Sequence, residues 1–217
     1  METYQRQFIE FALQHGALKF GDFTLKSGRQ SPYFFNLGVF HDGEALNKIG
    51  YFYATALQQT GVKFDVLFGP AYKGIPLVCA TTSALVQHYK KNVDFCYNRK
   101  ESKGHGEGGV LVGAPLHGQQ VFIIDDVMAA GTAVREAISL IRHADATLVG
   151  VMVSLDRQEA GMTANLLAAE EIQRTHQVPV FSIIQLEQLL EFVSAQPSMN
   201  ETLEKIRIYR AKYGVSL

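Results

Sequence analysis

Val121-Phe122-Ile123-Ile124-Asp125-Asp126-Val127-Met128-Ala129-Ala130-Gly131-Thr132-Ala133 carries three kinds of local structure in one line. Four apolar residues, each β-branched or aromatic, end abruptly in two adjacent carboxylates. A small-residue loop follows, and then apolar residues recur at Ala133, Val134, Ala137, Ile138 and Ile141. The pattern predicts a buried parallel strand, a loop and an amphipathic helix. Gly131 and its small neighbours allow the backbone to approach a ligand closely. Thr132 can cap the helix, and the free N–H groups at its start suit a phosphate. The acidic pair falls at the carboxyl end of the strand, where open α/β sheets bind ligands. Two carboxylates beside a phosphate cradle repel a bare polyphosphate. They suit a molecule with hydroxyls at one end and phosphate at the other, such as a ribose phosphate.

The rest of the chain extends this pattern. Residues 3–15 read as a helix with Tyr4, Phe8, Phe11 and Ala12 on one face, and residues 17–37 as short strands with a hairpin turn at Ser27-Gly28. Asp42 is placed to cap a helix that ends at Thr60-Gly61. Strands are expected at 65–68, 93–97, 120–124, 147–153 and 179–184. Helices are expected at 75–89, 132–143, 186–194 and 198–212. Alternation of apolar strands with helices implies an α/β fold, a mainly parallel sheet flanked by helices on both faces. At 217 residues the chain is expected to form a single domain, 1–217, with residues 1–37 contributing a small hood over the strand ends.

Composition narrows the function classes. The net charge of −1 argues against a general nucleic-acid or membrane-surface binder. Cys79 and Cys96 are too few and too far apart for a disulfide framework or a zinc site, and read as buried small hydrophobes. His15, His41, His88, His117, His143 and His176 show no ligand spacing and read as surface or satisfied side chains. The N-terminus lacks a signal-peptide pattern and no run of about 18 apolar residues occurs, so a cytoplasmic protein with no membrane or nucleic-acid partner is expected.

Two further segments carry chemistry. Phe68-Gly69-Pro70-Ala71-Tyr72-Lys73-Gly74-Ile75-Pro76-Leu77 follows an apolar strand, and its lysine and free N–H groups suit a diphosphate. It is not a Walker A loop, since no Gly-Lys-Ser/Thr stands four residues after a glycine. Asn98-Arg99-Lys100-Glu101-Ser102-Lys103-Gly104-His105-Gly106-Glu107-Gly108-Gly109 is cationic and glycine-rich. Its formal match to G-x-G-x-x-G lacks the strand before and the helix after that a dinucleotide site requires. A loop of this kind can close over an anionic leaving group and exclude water. Arg157 could form a surface ion pair with Asp156 or Glu159, and at the end of the strand over 147–153 it is also placed to bind a carboxylate in a bidentate fork.

The 121–133 segment resembles the phosphoribosyl-pyrophosphate (PRPP) motif of type I phosphoribosyltransferases. With 68–77, 98–109, Phe20–Arg29 and Ser154–Glu159, the likeness is to the orotate phosphoribosyltransferase family and covers nearly the whole chain. The resemblance implies the type I phosphoribosyltransferase fold and transfer of ribose 5-phosphate from PRPP to N1 of orotate, giving orotidine 5-monophosphate and pyrophosphate in UMP biosynthesis. It implies catalytic roles for Lys103, His105, Asp125 and Asp126. PRPP contacts are implied for Lys26, Tyr72, Lys73, Arg99, Lys100, Lys103, His105, Asp125, Asp126, Val127, Met128, Ala129, Ala130, Gly131, Thr132 and Ala133. Phe34, Phe35, Ala129 and Arg157 would contact orotate. Of Phe34 and Phe35, one is expected to belong to the core. Mg²⁺ would be bound mainly through PRPP, with no direct protein ligand, and a homodimer would share the catalytic loop across its interface. The chain departs from the family pattern at Ala129, commonly threonine, and at Gly104, commonly acidic. Two rivals stand beside this reading: a phosphoribosyltransferase for another base, and a PRPP-sensing regulator without catalysis.

Overall fold

In the computed structural model the chain is described except for residues 26, 104–108, 129–131, 162–165 and 216–217, and the side chains of 102, 103 and 132. The element order is α1 (Thr3–Gln14), β1 (Leu18–Thr24), β2 (Gln30–Phe35), α2 (Gly43–Thr60), β3 (Val66–Gly69), α3 (Gly74–Tyr89), β4 (Asp94–Lys103) and β5 (Gly109–Gly113). It continues with β6 (Gln120–Met128), α4 (Thr132–His143), β7 (Thr147–Asp156), α5 (Ala168–His176), β8 (Val180–Gln185), α6 (Leu186–Ser194) and α7 (Asn200–Tyr213). The expected cap of α2 is present: Asp42 Oδ1 accepts from the Ala45 N–H at 2.9 Å. Gly61 closes the same helix at φ 66°.

The main sheet has the order β5-β4-β3-β6-β7-β8, parallel throughout except where β5 runs antiparallel to β4. Along β6 the side chains alternate between two cores. Phe122 and Ile124 join a cluster with residues of α1, α2, α3, α6 and α7. Val121 and Ile123 join a second cluster with residues of α4 and α5. Both faces of the sheet are therefore covered, which is why this strand reads as a continuous apolar run.

Several elements differ from the sequence reading, β5 and the run of β7 to Asp156 among them. First, β6 runs on through Asp125 and Asp126 to Met128, held by β7 in register to Asp156. Second, β4 continues past Tyr97 to Lys103, so Arg99 and Lys100 lie on a strand; they fall in an irregularity between the pairs Asn98↔Leu111 and Lys103↔Gly109 that join it to β5. Third, α5 was not expected. Its buried face consists of Ala168 and Ile172 alone, too short an apolar stripe to mark a helix. Its last residue, His176, departs from the expectation of a surface or satisfied side chain. Both ring nitrogens are buried without a hydrogen-bond partner, and burial, then Arg142 and Arg135, hold its pKa down.

The first 37 residues form a helix and a hairpin. The hairpin β1–β2 stands as its own two-stranded sheet, turning at Gly28. Phe8, Ile9, Phe11 and Ala12 of α1 and Leu18, Tyr33 and Phe35 of the hairpin are buried in the same larger core. The hairpin also packs on α7 from the other end of the chain. The Tyr33 ring on β2 stands edge-on to Tyr209 of α7, with centroids 5.9 Å apart. Both touch Arg157 just beyond β7, so hairpin and helix meet at the carboxyl end of the sheet.

Candidate active site

The carboxyl ends of β3 and β6 lie side by side, since the two strands pair from Val66↔Val121 to Phe68↔Ile123. Each then delivers its polar residues to the same edge. At the end of β3 the chain turns sharply into α3. A Cβ on Gly69 would stand 2.3 Å from the Gly74 carbonyl oxygen, and one on Gly74 would stand 2.7 Å from Pro70 Cδ. Only glycine allows strand and helix to approach this closely. The turn is fastened to β4, whose Asn98 Oδ1 accepts from the Ala71 N–H at 2.9 Å.

This turn leaves Tyr72 well exposed and carries Lys73 to the acidic pair. Lys73 Nζ lies 2.7 Å from Asp126 Oδ2. With the lysine 55% exposed, the pair contributes at most about 1 kcal/mol. It is an exchangeable contact. Lys100 Nζ stands 5.2 Å from the centre of the Tyr72 ring, which brings β4 to the same edge. On that strand Arg99 keeps Nη1 buried with no hydrogen-bond partner.

The two carboxylates have different surroundings. Asp125 is 7% exposed; burial, then the charge of Asp126, pushes its pKa up to about 7, against the Asp126 N–H and Lys73. Its Oδ1 accepts from the Asp126 N–H at 2.9 Å, and Asp126 Oδ1 accepts from the Val127 N–H at 2.7 Å. Behind them, Tyr53 donates to the Asp125 carbonyl at 2.6 Å and Ser154 to the Asp126 carbonyl at 2.5 Å. The strand end is thus held by α2 and β7, with Asp125 buried and Asp126 partly exposed beside Lys73.

The aromatic pair on β2 divides. Phe35 is 8% exposed and packs on Phe8, whereas Phe34 is 37% exposed and lies against Phe23, centroids 5.5 Å apart. Phe35 is the core residue of the two. Arg157 is buried, and its Nε–Nη2 edge is already engaged by Glu159, Ser31 and Tyr209. That edge does not form the expected bidentate fork to a ligand. Lys26, His105, Ala129, Ala130 and Gly131 lie outside the described residues, as do the side chains of Lys103 and Thr132. Tyr53, Tyr209 and Ser31 escaped the sequence reading, since each reaches the site from a distant element and none stands in a motif. Ser154 has no role in that reading, while Glu159, expected as one of two surface ion-pair partners for Arg157, does pair with it but in a buried position.

A model of the phosphoribosyl transferase domain family matches residues 39–173. A curated relative from Pseudomonas syringae pv. syringae, an orotate phosphoribosyltransferase, is 53% identical over 215 residues, 99% of this chain and 100% of its own length. The chain belongs to the orotate phosphoribosyltransferase family. The namesake of Serratia proteamaculans is likewise 53% identical, with the same coverage. The crystal structure of the Francisella tularensis orotate phosphoribosyltransferase superposes with a TM-score of 0.87 at 42% identity, covering 96% of this chain and 99% of that one. The α/β architecture is accordingly that of an orotate phosphoribosyltransferase, and the enzyme is a pentosyltransferase. Among the described residues, no helix is long and apolar enough to cross a membrane.

Proposed function

We propose that this chain binds PRPP at the ends of β3 and β6 and transfers its ribose 5-phosphate group to N1 of orotate, a step of UMP biosynthesis in the cytoplasm. The observation that carries this assignment of residues is the convergence of Lys73 on the Asp125-Asp126 pair immediately before α4. Asp125 and Asp126 accept the ribose 2- and 3-hydroxyls. Residues 129–133, at the start of α4, take the 5-phosphate on their N–H groups. Lys73 exchanges Asp126 for the diphosphate, with Tyr72, Arg99, Lys100, Lys103 and His105 around it. Phe34, Lys26, Ala129 and Arg157 face orotate, with Phe35 supporting Phe34 from the core.

Orotate N1 gives up its proton, and its electron pair forms the new bond to ribose C1 as the bond from C1 to the diphosphate oxygen breaks; the proton leaves on the released pyrophosphate. The electron pair of the broken bond leaves with pyrophosphate, where Lys103 stabilises the developing charge. The cationic character at C1 requires that water be kept out while the two bonds exchange. The donor set fits a hard divalent cation carried in by PRPP. Asp125 and Asp126 are adjacent oxygen donors of the kind such a cation takes. Mg²⁺, when bound, neutralises the diphosphate. The protein acts as a homodimer in which the 99–109 segment serves the partner's site.

The test is a spectrophotometric assay of orotate consumption with PRPP and Mg²⁺, run beside uracil, adenine and hypoxanthine. Consumption of orotate with matching release of pyrophosphate is expected. Turnover of another base in preference to orotate would refute the assignment.

A further inference from the structure

Arg157 is anchored more heavily than a substrate-binding arginine needs for stability alone. Its guanidinium lies 4.3 Å from the centre of the Tyr33 ring and 5.6 Å from that of Tyr209. Nε donates to Glu159 Oε1 at 2.5 Å, and Nη2 donates to Ser31 Oγ and to Tyr209 Oη, each at 3.0 Å. Tyr209 Oη in turn donates to the same Glu159 Oε1 at 2.5 Å, closing a ring of hydrogen bonds. The other carboxylate oxygen, Glu159 Oε2, takes Arg29 Nη1 at 2.5 Å. Glu159 is only 7% exposed.

With Nε and both hydrogens of Nη2 committed, Nη1 is the nitrogen left without a partner among the described residues. Counting Arg29, which meets Glu159 from outside the ring, the cluster of Arg29, Arg157 and Glu159 has two cations and one anion. Arg29 therefore offsets Glu159 and leaves Arg157 a positive charge to offer. We propose that Glu159, acting with Tyr209, is a positioning residue for orotate recognition: it fixes the plane of the Arg157 guanidinium so that Nη1 meets the substrate carboxylate. This rests on the reading of Arg157 as an orotate contact. An arginine held beforehand loses little rotamer freedom on binding, so its contact contributes more to affinity and to selection for a carboxylated base. Arg29 on the hairpin and Tyr209 on α7 link that selection to the packing of the hood.

The experiment measures KM for orotate, Kd for PRPP by calorimetry, and the melting temperature of four variants: Glu159→Gln, Tyr209→Phe, Arg157→Gln and the double Arg157→Gln/Glu159→Gln. Glu159→Gln is expected to raise the orotate KM about tenfold, and Tyr209→Phe by about threefold, as for directly bonded neighbours. PRPP Kd should change by less than about twofold in both, because that ligand does not meet Arg157. In the double variant, Glu159→Gln should add nothing to the loss caused by Arg157→Gln. Should Glu159→Gln fail to fold, Tyr209→Phe keeps the aromatic side chain and the carboxylate, loses only the hydroxyl, and carries the same comparison. An unchanged orotate KM in Arg157→Gln would overturn the assignment of Arg157 itself. A raised KM in Arg157→Gln with none in Glu159→Gln or Tyr209→Phe would overturn the positioning role alone. So would full additivity in the double variant, or a parallel loss of PRPP affinity.

Discussion

Asp125→Asn should make the ligand-free protein more stable while damaging its affinity for PRPP. The substitution preserves shape, and the amide oxygen can still accept from the Asp126 N–H. What it removes is a buried charge. Burial and the Asp126 carboxylate raise the pKa of Asp125 from 3.8 to about 7. A raised carboxyl pKa means that the folded state holds a proton the unfolded chain releases. The contribution to stability is full below about pH 4 and is lost as pH rises through about 7. At about 1.4 kcal/mol per unit, the charge costs about 4 kcal/mol at pH 8 and about 2 kcal/mol at pH 5. Asparagine avoids both losses, so its advantage over the parent should grow by roughly 2.5 kcal/mol between these pH values. For a chain of this size that is roughly 5–10 °C in melting temperature. Calorimetric melts of both proteins at pH 5 and pH 8, without ligand, read it directly. PRPP binding should move the other way, weakened about 10- to 150-fold by loss of a charged acceptor. A variant no more stable than the parent at pH 8, or with the same advantage at both pH values, would refute the account of a strained carboxylate.

Gly69→Ala places a Cβ 2.3 Å from the Gly74 carbonyl oxygen; it should lower the melting temperature and weaken PRPP binding. Gly43→Ala, with open space around it at the first turn of α2, should leave both unchanged or raise stability by up to about 1 kcal/mol. Phe35→Ala removes a core ring and should cost about 3–5 kcal/mol in a denaturant titration. Phe34→Ala should spare most of that stability and raise the orotate KM instead; equal losses of stability would place both rings in the core. Mixing inactive Lys103→Ala with inactive Asp125→Asn under confirmed subunit exchange should restore activity, because one site in each mixed dimer is then complete. Activity that stays at the parental level would rule out a shared loop.

Much of this molecule is legible along the chain, for a physical reason that also marks the limit. Val66–Phe68 and Val121–Ile124 are apolar on both sheet faces, so burial writes itself into consecutive residues. Asp125 and Asp126 interrupt that run, and Gly69 and Gly74 bracket a turn that no other residue fits. These signals are local. The extension of β4 is different: Arg99 and Lys100 have no strand signature, and the pairs with β5 that carry the strand on lie to either side of them, at Asn98 and Lys103. Helix α5 has too small an apolar face to stand out. Tyr53 and Tyr209 look like ordinary helix aromatics until the fold brings Tyr53 under Asp125 and Tyr209 beside Glu159. The Arg157 fork illustrates the same limit, since its partners Ser31 and Tyr209 are 126 and 52 residues away.

The far end of β4 is a slack arm. Its last partner on β3 is the pair Gly69↔Tyr97, and beyond it only β5 pairs with the strand. From Asn98↔Leu111 to Lys103↔Gly109 the two strands advance unequally, five steps on β4 against two on β5, so the ladder is broken between those pairs. In an unbroken ladder a one-residue slip turns every following side chain to the other face, whereas an irregularity of this kind can take up a residue locally. A change of length within 99–102 should therefore be absorbed where it occurs, while one at Cys96 or Tyr97 should be passed along the strand.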